Sequence, residues 1–242
     1  MGQGIDYSFG RPELDTVKAQ GYTFVIRYLA QQGGGKVITP QEAAQIRAHG
    51  LALVLVYEQG AGRAREGRAA GKSDALTALA QARRLGFPES RPVYFAVDED
   101  VQERDLPRVD AYLRGAAEAM GGSRVGVYGS YRVIEHCAAT HSASFFWQTA
   151  AWSHGLVSSH AHLLQTKTEQ LLGGARIDLD TSLAADFGAW TPPAAPALST
   201  AQQWAVEQGI FNQPVTWDAP VDYNTLAWAL MKALAGPSRK TG

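Results

Sequence analysis

Apolar and polar positions follow two periods along the first 190 residues. Short runs rich in β-branched and aromatic residues, bounded by glycine or polar clusters, predict strands at Gly4–Tyr7, Thr23–Tyr28, Leu51–Tyr57, Pro92–Asp98, Arg124–Tyr128, Ser144–Thr149, Ala161–Gln165 and Arg176–Asp180. Helix-period segments lie between the early strands, at Pro12–Gln20, Pro40–His49, Asp74–Leu85, Leu106–Met120 and Tyr131–Thr140. Thr39-Pro40 reads as an N-cap followed by proline at the first helical position, and Gly21, Gly50 and Gly86 stand where helices end. Alternation of this kind implies parallel strands with right-handed crossovers. The expected architecture is α/β: a TIM-like (β/α) barrel, regular in its first five units, with abbreviated last helices because the connections after Thr149 are short.

The pattern breaks after Trp190. TPPAAPALST reads as a linker over 191–200, dividing a 1–190 barrel from a small helical appendix over 201–242. Two helical patterns, around Gln202–Gln208 and Asn224–Leu234, make a unit too small to be stable alone, so docking on the barrel or on a partner is expected. Composition narrows the functions. Among 242 residues, 22 Lys and Arg offset 23 Asp and Glu, which argues against a nucleic-acid or anionic-membrane binder. No apolar run approaches the roughly 18 residues of a membrane span. Cys137 is the single cysteine, so no internal disulfide forms. MGQGIDYSFG has neither a basic nor an apolar leader region, so no signal peptide is expected.

In a parallel barrel the active site forms where the strands end. There this chain places Asp6, Arg27 and Tyr28, Tyr57 and Glu58, Asp98 and Asp100, Tyr128, Gln148 and Trp152, Gln165, and Asp178 with Asp180. In YFAVDED, residues two apart on a strand point the same way, so Asp98 and Asp100 are expected to share one site with Glu99 turned away. Two carboxyls on one face can split their pKa values into an acid and an ionised partner, as glycoside hydrolysis requires.

The ordered runs GIDYSFGRP, FVIRYL, LALVLVYE, GKSDALTALAQARRLGFP, PVYFAVDED, VGVYGSY, FWQTAAWS, HLLQ and IDLDTS resemble the glycoside-hydrolase-like domain of actinobacterial and phage proteins. That family is similar to the family 25 lysozymes, which cleave the glycan of peptidoglycan. The resemblance spans residues 4–190 and implies catalytic roles for Asp6, Asp98, Asp100 and Asp178. Asp100 stands where the lysozymes have a glutamate, one methylene longer. Glu58, which resembles a residue of the closer family, is the other candidate acid, with Asp98 stabilising the transition state. Arg27, Tyr57, Tyr94, Tyr128, Gln148, Trp152 and Gln165 are candidate substrate-binding residues, and Trp147 a further stacking candidate.

The implied function is a muramidase-like hydrolase directed at peptidoglycan or a related wall glycan. The alternative is a non-catalytic glycan-binding or virion module on a degenerate barrel. Without a leader, the expectation is synthesis in the cytoplasm and action at the wall after phage-type release or as part of a virion. The appendix, loosely similar to wall-attachment repeats, is then the contact to virion or wall components. No cofactor is expected. Gly71-Lys72-Ser73 fails the phosphate-loop spacing because residue 66 is Glu66. The histidines match no standard zinc spacing. Arg63, Arg65, Arg68 and Lys72 read as a mobile, solvated, glycine-rich loop.

Overall fold

A computed structural model describes residues 1–32 and 34–191. The linker and appendix expected beyond these lie outside the described residues. Eight strands close into a barrel in sequence order. They are β1 (Gln3–Asp6), β2 (Phe24–Leu29), β3 (Ala52–Tyr57), β4 (Val93–Ala96), β5 (Val125–Gly129), β6 (Phe145–Thr149), β7 (Leu163–Leu172) and β8 (Ala175–Ser182). Five helices follow the first five strands: α1 (Leu14–Ala19), α2 (Pro40–Ala48), α3 (Arg68–Arg84), α4 (Leu106–Met120) and α5 (Tyr131–Thr140). The Thr39 hydroxyl caps α2 by accepting from the Glu42 N–H at 3.1 Å, as the sequence predicts. Among the described residues no helix is long and apolar enough to cross a membrane.

Two features depart from expectation. Strands β1 to β7 are parallel, but β8 runs antiparallel to both β7 and β1. The cause is local. Gly173 and Gly174, both at positive φ, join β7 to β8 in a two-residue turn that leaves no length for a crossover. β7 is also longer than predicted, with register shifts after Gln165 and after Lys167. Asp178 therefore lies midway along β8, level with Asp6 at the end of β1, while Asp180 sits deeper, opposite Gly4.

The second departure concerns 63–72. These residues form a 3-10 turn over Arg63–Glu66 and the first turn of α3, which starts six residues before the predicted Asp74. Glycine weakens a helix in isolation. Here Gly71 and Gly115 let α3 and α4 touch backbone to backbone: a Cβ on Gly71 would collide with the Tyr112 carbonyl, and one on Gly115 with the Arg68 carbonyl. The basic residues are paired rather than loose: Arg63 with Asp74, Arg65 with Glu99, and both Arg68 and Lys72 with Glu118.

Strand alternation separates two cores. Phe24, Ile26, Val54, Val56, Tyr94, Tyr128, Trp147 and Leu163 fill the barrel, while Val25, Leu29, Leu53, Leu55, Tyr57 and Phe95 pack outward against the helices. The segment before Thr191 closes the end of the barrel opposite the strand C-termini. Trp190 pairs its backbone with Leu53, and Tyr94 donates its hydroxyl to the Phe187 carbonyl at 2.8 Å.

Candidate active site

At the C-terminal ends of the parallel strands a cavity of about 120 Å³ is lined by Tyr28, Val56, Glu58, Ala96, Asp98, Tyr128, Trp147, Gln165 and Asp178. Three carboxyls, two from just beyond β3 and β4 and one from within β8, thus meet around one space. A second hollow of about 430 Å³ shares Tyr28 and Asp178 with it and runs between the β1–α1 loop and the β7–β8 hairpin.

A hydrogen-bonded floor lies under the cavity, centred on Gln165. Its Nε2 donates to Asp6 Oδ2 at 2.8 Å and Asp178 Oδ2 at 3.2 Å, and its Oε1 accepts from the Tyr128 hydroxyl at 2.9 Å and the Thr149 hydroxyl at 3.0 Å. Tyr28 donates to Asp6 Oδ1 at 2.6 Å, and the Glu169 N–H to Asp178 Oδ1 at 2.8 Å. Deeper still, Trp147 Nε1 donates to Asp180 Oδ1 at 2.9 Å, while Asp180 Oδ2 receives no donor group. Asp180 and Asp6 are both buried, and the charge of Asp6 disfavours ionisation of Asp180.

Burial raises the pKa of every carboxyl here that is shifted. Asp180 goes well above the usual range through burial and then the charge of Asp6. Asp6 is raised by burial against the opposing hydrogen bonds from Tyr28 and Gln165. Asp178 is pushed up to about 6 by burial and by Asp6. Asp98 is raised by burial and by the charge of Glu58, with Lys36 opposing. Glu58 accepts an ion pair from Lys36 Nζ at 2.6 Å, with both side chains largely buried.

The predicted site residues divide cleanly. Asp6, Glu58, Asp98, Asp178, Tyr128 and Gln165 come together. Asp100 does not: β4 ends at Ala96, so the two-residue rule no longer governs 98–100, and Asp100 lies exposed, 3.8 Å from Arg132. Arg27 and Tyr57 sit on outward strand positions. Arg27 is fully buried and bound to Glu42 at 2.6 Å, and Tyr57 donates to Asp74 at 3.3 Å. Gln148 also faces outward and fixes the loop after β6, donating to the Leu156 carbonyl and accepting from the Ser158 N–H. Tyr94 is buried toward the far end, and Trp152 stands in the loop after β6, outside the cavity lining. Trp147 does border the cavity, but it is 1% exposed, so its ring packs rather than offering a stacking face.

Tyr28, which the sequence places at the end of the second strand, continues the inward alternation of Phe24 and Ile26. Two participants were not singled out from sequence. Thr149 likewise shares the inward parity of Trp147. Lys36, in a 3-10 turn between β2 and α2, gave no periodic signal.

Comparison with known proteins gives the family and the fold. The profile of the Rv2525c-like, glycoside hydrolase-like domain matches residues 15–184. The chain belongs to this family. The match includes Glu58, Asp98, Asp100 and Asp178, with Asp6 just ahead of it. Rv2525c of Mycobacterium tuberculosis is 29% identical over 202 residues, covering 78% of this chain and 84% of that protein. The crystal structure of that Tat-secreted protein with L-tartrate superposes with a TM-score of 0.75 at 28% identity, covering 78% of this chain and 99% of that one. More distant folds are shared with the modular autolysin LytC of Streptococcus pneumoniae (TM-score 0.58, 13% identity, 74% of this chain and 46% of that one). The catalytic domain of endolysin ply40 from a Listeria monocytogenes phage is similar in the same sense (TM-score 0.55, 15% identity, 77% and 95%). These last two show the barrel and nothing finer.

Proposed function

We propose that this chain is a peptidoglycan-directed glycoside hydrolase of muramidase-like action. The observation that carries the reading is the convergence of Glu58, Asp98 and Asp178 on one polar cavity at the catalytic end of the barrel. A carboxyl kept protonated beside an ionised one supplies both halves of glycosidic cleavage. The reading gains support from the relatives: Rv2525c is described as a candidate peptidoglycan hydrolase, and LytC has been crystallised with a synthetic peptidoglycan ligand. Action at the wall as a phage-type lysin, with the segment after residue 191 contacting virion or wall components, is part of the same proposal.

A second reading, a glycan-binding or virion module on a barrel that no longer cuts, is favoured by Asp100, which replaces the lysozyme glutamate and points away from the cavity. One experiment separates the two. The purified chain and its Asp98→Asn variant are incubated with isolated actinobacterial peptidoglycan, and soluble products are read by mass spectrometry. New reducing-end muropeptides from the wild type alone are expected. Co-sedimentation with the wall and no products from either protein would establish the module instead.

A further inference from the structure

We infer that Asp98 is the proton donor of this site, that Glu58 is its anionic partner, and that Lys36 is the positioning residue that keeps the two roles apart. The inference rests on the hydrolase reading above and assigns roles within the same cavity. It departs from what the family resemblance implies, in which the donor is the residue at 100 or Glu58.

The geometry excludes the other carboxyls in turn. Asp100 is outside the cavity and near Arg132. Asp178 is held from both sides, by the Gln165 amide and the Glu169 N–H, so its oxygens are committed. Asp6 lies beneath, gripped by Tyr28 and Gln165. Glu58 is clamped by the Lys36 ammonium at 2.6 Å, and the carboxylate of an ion pair holds no proton to give. Asp98 is left. It is half-buried and borders the cavity, and among the described residues its carboxyl makes no hydrogen bond or ion pair.

Lys36 is held for this task by three contacts. Its backbone carbonyl accepts from Arg27 Nη2 at 3.1 Å, the adjoining Val37 bridges to Tyr28, and its ammonium sits 4.5 Å over the Tyr28 ring. The fully buried Arg27, expected from sequence to touch substrate, thus acts on the turn that carries Lys36. The charged groups facing Asp98 are Glu58 from the end of β3, Lys36 from the β2–α2 turn, Asp178 from β8 and Glu99 from its own loop, the last ion-paired to Arg65 at 2.9 Å. Tyr28 and Tyr128 complete the wall as neutral phenols.

In the reaction the Asp98 proton passes to the glycosidic oxygen as the C1–O bond breaks, and the bonding pair leaves with that oxygen. The Glu58 carboxylate faces the positive charge that develops on the sugar. Water then adds at C1 and loses a proton to the Asp98 carboxylate, which restores the acid.

The test uses the full chain and two readouts. In the first, the side-chain carboxyls of 13C-labelled protein are titrated by NMR, with Asp98→Asn identifying the Asp98 resonance. Asp98 is expected to titrate above the ordinary aspartate range. Lys36→Met, which removes the opposing cation, is expected to move it up by about half a unit to one unit, and Lys36→Arg to return it. In the second, reducing ends released from peptidoglycan are followed against pH. The alkaline limb should move up in Lys36→Met by the same amount and be restored in Lys36→Arg, and Asp98→Asn should lose about a hundredfold or more in kcat/KM. An Asp98 titration in the ordinary range, or one indifferent to Lys36→Met, overturns the assignment even if peptidoglycan is cut. Absence of products from the wild type overturns the hydrolase reading and the donor role with it, whatever the titration shows.

Discussion

Replacing Gln165 with methionine tests whether one amide holds the floor of the cavity. The exchange keeps side-chain length and nearly its volume, so packing changes little, but it removes two donated and two accepted hydrogen bonds. The four partners fare differently. Asp178 is half-exposed and keeps the Glu169 N–H, and Tyr128 borders the cavity, where water can accept its hydroxyl. Asp6 and Thr149 are each 1% exposed and have no such outlet on the side facing Gln165. A buried polar group stripped of its partner costs about 1–3 kcal/mol. Two of them predict a loss of about 2–6 kcal/mol, a large share of the stability of an ordinary domain. Urea titration should show a lower midpoint with an unchanged slope, and thermal unfolding a drop of about 2–4 °C per kcal/mol lost. Adding Thr149→Val should recover part of the loss, because it removes one of the two stranded groups. A destabilisation of Gln165→Met below about 1 kcal/mol would refute the account of the floor.

Asp180→Asn replaces a buried neutral acid by a neutral amide. A carboxyl raised on folding contributes stability that is intact at low pH and is lost as pH rises through its folded value, so this variant should match the wild type near pH 4 and melt higher at pH 9. Equal loss of melting temperature at both pH values would sink the idea that folding raises the pKa of Asp180. Asp74→Asn disturbs a buried carboxylate that accepts Arg63 at 2.7 and 2.8 Å and Tyr112 at 2.8 Å; it should cost about 3–5 kcal/mol in urea titration, and a change under 1 kcal/mol would contradict the pairing. Gly71→Ala should destabilise by about 1–3 kcal/mol or more through collision with the α4 backbone. A gain in stability, as helix propensity alone would give, would disprove the close crossing.

The sequence by itself determined the eight strands and the five helices, because period and punctuation are local properties. It also determined which strands carry acid at their ends: Asp6, Glu58 and Asp98 were legible as such, whereas Asp178 joins them from within a β8 that runs opposite to the expected direction. It did not determine which acids face that mouth once the strand has ended. The alternation that relates Asp98 to Asp100 holds only in extended pairing, and β4 stops at Ala96. Arg27, Tyr57 and Gln148 were placed near the right level but on the wrong face, although their own strand parity already pointed them outward.

What only the tertiary structure decided are contacts between distant segments. The reversal of β8 needed the Gly173-Gly174 turn to be recognised as a hairpin, and it set the level at which Asp178 meets Asp6. The early start of α3 depended on α4, since Gly71 is favourable there only because another helix occupies the space its side chain would take. Lys36 reaches Glu58 from an irregular turn, and Gln165 joins residues up to 159 positions away. Hydrophobic period fixes which side of an element is buried; the protonation of a carboxyl depends on charges and donors brought to it from elsewhere in the chain, and those exist only after the barrel has closed.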